Sequence, residues 1–115
     1  MYRRAAERGP ACQAFPDPDI GFCLDTGHAV LSGLDLEAKI RAAGGRLLST
    51  HIASNDGLSD RHWLPTLGLL DWEAARRCLL EGGYTGRYVL EVLGGDDPDG
   101  VLRQAVALAS ADERA

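Results

Sequence analysis

Lysine is nearly absent: Lys39 is the sole lysine among 115 residues. With 12 Lys and Arg against 17 Asp and Glu, the net charge is -5. A nucleic-acid-binding face is built from clustered Lys and Arg, and this balance argues mildly against one. Cysteine is sparse. Cys12, Cys23 and Cys78 are far apart and form no C-x-x-C. An odd, scattered set reads as free thiols in a reducing compartment. No apolar run approaches the 18 or so residues of a transmembrane helix. Met1-Tyr2-Arg3-Arg4 lacks the apolar core of a signal peptide, so the expected location is the cytoplasm. Tandem repeats and low-complexity tracts are absent too. The length sets an expectation of one domain over 1–115, and 45% hydrophobic with 25% charged residues is ordinary for a globular chain.

What is present is a succession of short apolar runs, each ending on a residue type that can bind metal. Ile20 to Leu24 reaches Asp25, with His28 three residues on. Arg46 to Ile52 carries His51, and Arg87 to Leu93 carries Glu91. Runs this apolar suit strands buried on both faces, as in a parallel sheet. Helical patterns lie between them. Ser32-Gly33-Leu34-Asp35 matches a capping box, with Leu36, Ile40 and Ala43 on one helical face and Gly44-Gly45 as the stop. Asp71 is a good N-cap for a helix with Trp72, Ala75 and Leu79 on one face, stopped by Gly82-Gly83. Gly94 to Asp97 is a turn, and Pro98 opens a last helix marked by Val101, Ala105 and Leu108. At the ends, residues 2–8 are helix-compatible, Gly9-Pro10 breaks them, and Pro16-Asp17-Pro18-Asp19 is a stiff turn. Ala111 to Ala115 is expected to fray. Residues 53–70 remain as one long polar loop, a type that is often functional.

Strand-helix alternation of this kind implies parallel strands. The carboxyl ends of parallel strands share one rim, so Asp25, His51 and Glu91 are expected to converge. Two carboxylates and an imidazole suit a divalent cation, Mn²⁺, Co²⁺, Zn²⁺ or Mg²⁺. Asp25-x-x-His28 and Asp60-x-His62 extend the set. Each residue also has a plainer explanation. An Asp after a strand is ordinarily a cap, and a single His is ordinarily a satisfied surface or core residue. The joint pattern carries more weight, since all three histidines fall at strand ends or in the long loop. Gly27 fits a tight turn after the strand, and Thr26 fits satisfaction of backbone groups. Trp72 reads as a packing residue. Trp63 does too, although beside His62 it could also shape a pocket. Arg61 either pairs with a substrate oxygen or faces solvent.

Leu24-Asp25-Thr26-Gly27-His28-Ala29, His51, Asp60-Arg61-His62-Trp63-Leu64-Pro65 with Gly68 and Asp71-Trp72, Gly83-Tyr84-Thr85-Gly86 and Leu90-Glu91-Val92 together resemble the xylose isomerase-like barrel superfamily. That group holds sugar and sugar-phosphate isomerases and epimerases as well as the AP endonucleases. The resemblance covers residues 20 to 93. It implies a (β/α)₈ barrel, of which this chain would be the C-terminal three βα units, since a full barrel needs about 250 residues. In such epimerases a Glu, an Asp, a His and a second Glu hold the metal. By resemblance the last three are Asp25, His51 and Glu91, and the first Glu belongs to an earlier strand. In the endonuclease branch the counterparts of His28, Asp60 and His62 also bind zinc. Ser54 stands where the family often has Asp, and Thr66 where it often has Gly.

The resemblance thus implies a metal-dependent sugar or sugar-phosphate isomerase or epimerase. The substrate would be a small sugar, with proton transfer through an enediolate and Glu91 as catalytic group. His28, Asp60 and His62 would serve substrate or additional metal, with Arg61 and Trp63 as weaker substrate contacts. The alternatives are a zinc-dependent AP endonuclease acting on abasic DNA and an inactive barrel fragment. Neither a nucleic-acid nor a membrane partner is expected in the preferred reading. An N-terminal half supplied elsewhere, or a homo-oligomer, is expected to complete the barrel.

Overall fold

The computed structural model describes the chain over residues 19–114. The helix-compatible segment 2–8, the Gly9-Pro10 break, Cys12 and most of the Pro16–Asp19 turn lie outside the described residues. Within them, β1 (Phe22–Asp25), β2 (Leu47–Ile52) and β3 (Arg87–Leu90) form one sheet in the order β1-β2-β3. Both pairings are parallel. The helices are α1 (Thr26–Leu31), α2 (Leu36–Ala43), α3 (Trp72–Glu81) and α4 (Pro98–Arg114). A 3₁₀ turn, Gly44–Arg46, joins α2 to β2. Strand, helix and parallel strand in repetition is the arrangement expected for part of a TIM barrel, the fold that the resemblance implied.

Local chemistry fixes most of these boundaries. Asp71 caps α3 by accepting from the Ala74 amide at 3.1 Å. Asp35 caps α2 in the same way through Ala38, at 3.2 Å. Here the structure departs from the capping box, which would make Ser32 the cap. Ser32 instead closes α1, its amide donating to the His28 carbonyl at 3.0 Å. Hydroxyl and carboxylate both make good caps, and α1 had already claimed Ser32. That helix was not anticipated. Gly27 therefore sits inside the first turn of a helix rather than in a tight turn. Gly44 ends α2 at a φ of 57°, where residues with a side chain are strained. At the other end, α4 runs to Arg114, into the segment expected to fray. Its last residues include Ala, Glu and Arg, all strong helix formers.

One face of the sheet is covered. Leu24 and Leu47 pack with Ile40, Ala43, Cys78 and Leu79 in one cluster. Ile52 packs with Leu70, Trp72 and Ala75 in a second. Tyr88 touches both clusters and meets Tyr84 and Trp72 edge to face, at ring centroids 5.4 and 6.2 Å apart. Trp72 is thus a packing residue, as read from the sequence.

The opposite face is open among the described residues, the side that in a complete barrel would face the packed interior. Register explains which residues point there. Cys23, Ser49 and Arg87 are aligned, as are Asp25, His51 and Val89. Side chains alternate along each strand, so these two rows share the open face. Cys23 and Val89 are exposed there. The third strand also stops at Leu90 rather than Leu93; the Glu91 amide makes one more bond to β2, and the Leu93 amide turns to the His62 carbonyl instead.

Candidate functional site

Asp25 is the last residue of β1, and His51 lies one residue before the end of β2. The two are register partners. Val89 partners His51, so Glu91, two residues on, shares that face one step nearer the rim. The Glu91 amide still donates to the Ile52 carbonyl at 3.0 Å, which holds its backbone beside β2. The three side chains meet: one donor atom from each lies within 4.8 Å of the other two. His51 Nδ1 stands 3.3 Å from Glu91 Oε1.

A second file of side chains runs beside this trio. Asp25 caps α1, its Oδ1 accepting from the His28 amide at 3.0 Å. The same helical turn brings His28 Nδ1 to 3.3 Å from Asp25 Oδ2. Across the ring, His28 Nε2 is 3.1 Å from Asp60 Oδ2. That same oxygen is 3.2 Å from His62 Nε2. His62 then returns to the trio, with Nδ1 2.8 Å from the Glu91 carbonyl. The file Asp25–His28–Asp60–His62–Glu91 thus spans from β1 to β3 along the rim.

His62 is held tightly. A carbonyl can only accept, so its Nδ1 carries the proton. That hydrogen bond to Glu91 raises the imidazole pKa above its usual value; partial burial opposes the rise, and the Asp60 carboxylate adds to it. Its φ is 54°, the one positive value among the described non-glycine residues. Such a conformation costs on the order of 1–3 kcal/mol and persists where surroundings impose it. Here they include the ring contacts and the Leu93 amide, which donates to the His62 carbonyl at 2.9 Å.

The long loop is well organised. Ser54 and Trp63 form a two-way backbone bridge, each amide donating to the other's carbonyl at 2.9 Å. Trp63 is partly exposed, and this bridge fixes its backbone beside His62. Arg61 is exposed to solvent, one of its two expected placements. Its Nε pairs with Asp56 Oδ2 at 3.2 Å, so the guanidinium braces the loop. Thr26 satisfies backbone groups as anticipated, through both polar groups of Ala53.

Sequence reasoning missed Asn55. It has no exposed surface. Its Nδ2 donates to the Gly27 carbonyl at 2.9 Å, and its Oδ1 accepts from the Gly57 amide at 2.8 Å. Its own carbonyl accepts from Leu69 at 2.9 Å. Gly68, at a φ of 68°, lies so close to that carbonyl that a Cβ would collide with it. The available signal was Asn55-Asp56-Gly57, a sequence prone to side-chain-to-backbone turns.

The donor set matches a divalent cation. Two hard carboxylates and one borderline imidazole make a set that Mn²⁺, Co²⁺ and Zn²⁺ accept. Ligand bonds of about 2.0–2.2 Å place donors about 3 Å apart across an ion, and side chains within 4.8 Å reach that spacing by small rotations.

The chain is similar to known proteins. An uncharacterised protein of Sinorhizobium fredii, y4fM, is 37% identical to this chain over 56% of its length. The uncharacterised protein ML2432 of Mycobacterium leprae is 31% identical over 80% of it. The chain spans only 21% and 36% of the lengths of these two relatives. The family described as the xylose isomerase-like TIM barrel matches residues 2–111. That group includes sugar isomerases, sugar epimerases and AP endonucleases, and it often uses divalent metals. A match over nearly the whole sequence, on a parallel sheet that gathers Asp25, His51 and Glu91 at its carboxyl rim, makes this chain a member of the xylose isomerase-like TIM barrel family.

Proposed function

We propose that the chain is the part of a metal-dependent sugar isomerase or epimerase that supplies three of its metal ligands. The observation that carries this reading is the meeting of Asp25, His51 and Glu91 within 4.8 Å on the carboxyl rim. When bound, a divalent cation would act as a Lewis acid, polarising adjacent hydroxyl and carbonyl oxygens of an open-chain sugar and stabilising enediolate charge. Asp25, His51 and Glu91 would hold that cation. Glu91 also moves the proton at the sugar carbon, as one of a pair of carboxylates. Its partner carboxylate would lie outside this stretch, in keeping with relatives more than twice as long as the chain. His28 orients substrate from the β1 side, where its ring is 64% exposed. Asp60 fixes the imidazoles on either side of it.

One observation favours a second reading. His28 and His62 both approach a single oxygen of Asp60, an arrangement that suits further zinc ions in an AP endonuclease. We rank it second. The Asp25, His51 and Glu91 trio is the one donor group among the described residues compact enough for a cation. The acidic balance and the single lysine also suit a DNA partner poorly.

The experiment is a paired assay on the full-length protein loaded with Mn²⁺ or Zn²⁺. Solvent deuterium exchange at carbon is followed across a panel of free and phosphorylated sugars, and nicking is followed on an abasic duplex. The expected result is metal-dependent exchange without nicking. Nicking without exchange would reverse the ranking.

A further inference from the structure

Two polar side chains with no exposed surface lie between the two halves of the rim. Thr26 opens α1 directly after Asp25. Its hydroxyl donates to the Ala53 carbonyl at 2.7 Å and accepts from the Ala53 amide at 3.0 Å. Asn55 ties the Gly27 carbonyl of α1 to the Gly57 amide, and its own carbonyl holds Leu69. On one side of this clamp stands α1, flanked by Asp25 and bearing His28. On the other, the chain leaves β2 just after His51 and departs into the loop that carries Asp60 and His62. Buried polar networks that are fully satisfied select one arrangement of the elements they join.

We propose that Asn55, backed by Thr26, is a positioning residue that sets the spacing between the β1 half of the rim and the β2 half. This rests on the reading of Asp25, His51 and Glu91 as a cation site. The choice of amide is chemically specific. An aspartate at 55 keeps the acceptor that Gly57 uses but turns the donor facing Gly27 into an oxygen. Two oxygens then oppose each other at hydrogen-bond distance, and α1 shifts with Asp25 upon it. Thr26→Val keeps the volume but leaves both Ala53 groups buried without a partner, at a cost of the same kind. Thr26→Ser keeps the hydroxyl.

The probe is Co²⁺ alone, titrated into chelator-stripped protein and read by its visible absorption. Asn55→Asp and Thr26→Val are expected to weaken Co²⁺ binding by about tenfold or more, the usual loss when groups supporting metal ligands are removed, and to move the band positions. Thr26→Ser should restore both affinity and spectrum. Leu79→Ala, in the fully buried core away from the rim, serves as a control that lowers the melting temperature. It should leave both readouts unchanged. Wild-type affinity and spectrum in Asn55→Asp and Thr26→Val would overturn the proposal, as would equal weakening by Leu79→Ala. Should Asn55→Asp fail to fold, the Thr26→Val and Thr26→Ser pair decides by the same criteria. The cation reading fails differently: wild-type protein shows no saturable Co²⁺ signal, or Asp25→Asn leaves the signal intact, and the positioning role falls with it.

Discussion

Replacing Asp60 with Asn separates the two readings of the rim. The substitution keeps the shape of the side chain and removes its charge. Asp60 Oδ2 lies 3.1 Å from His28 Nε2 and 3.2 Å from His62 Nε2. The three side chains are 34%, 64% and 29% exposed. Pairs this wet contribute about 0.2–1 kcal/mol each, and Asn can still accept one hydrogen bond. The loss should therefore be about 1 kcal/mol, or roughly 4 °C in melting temperature for a domain of this size. The metal count is the sharper measurement. In the sugar-enzyme reading, Asp25, His51 and Glu91 hold the cation without Asp60. Asp60→Asn should then keep one bound Co²⁺ or Mn²⁺ per chain after equilibrium dialysis and elemental analysis, while Asp25→Asn loses it. If wild-type protein binds two or more Zn²⁺ and Asp60→Asn binds fewer, Asp60 is itself a ligand. That result would refute the reasoning and move the endonuclease to first place.

Three other outcomes are expected. His62 should titrate above its usual value of 6.5 in chelator-treated protein. A raised folded pKa contributes stability that is complete below the unfolded value and is lost as pH rises through the folded one. An NMR titration placing the ring at or below 6.5 would count against its bond to the Glu91 carbonyl. Gly68→Ala should destabilise by about 2 kcal/mol or more, from left-handed strain plus collision with the Asn55 carbonyl; an unchanged denaturation midpoint would contradict this. Residues 1–115 expressed alone should self-associate, because β1 and β3 each present an unpaired edge among the described residues and Val89 and Cys23 lie on an uncovered face. Light scattering that finds a 12.3 kDa monomer would show that the edges are protected.

The elements that could be read from sequence were those with a local signal. The Asp71 cap, the Trp72, Ala75 and Leu79 face and the Gly82-Gly83 stop all sit within a dozen residues, and α3 follows them closely. The α1 helix has the Asp25 cap and little else of this kind. Its six residues include β-branched Thr26 and Val30 together with Gly27, which are poor helix formers. What holds it is tertiary: Thr26 on Ala53, Asn55 on Gly27, and Ala29 buried beneath. Strand burial shows a related limit. An apolar run shows that a face avoids water in the complete fold, but it does not say which part of the chain covers it.

The site divides along the same line. Asp25, His51 and Glu91 were legible because parallel pairing turns sequence position into spatial position. A residue at a strand end must lie at the rim, and side-chain alternation then decides its face. Nothing comparable governs residues 53–70. Arg61 sits beside His62 in sequence, yet it turns back to Asp56, while His62 crosses to Glu91. The switch between them is a φ of 54° at His62, a value that no pattern of residue types announces. Loop geometry is set by satisfaction of buried backbone groups, and here the fully buried Asn55 side chain satisfies two of them. Its two hydrogen bonds join positions 27, 55 and 57. The residue with the greatest leverage over the loop therefore bears no charge, binds no ion and offers no surface. A search for chemistry-bearing side chains passes over it. A count of which buried carbonyls and amides need partners finds it at once.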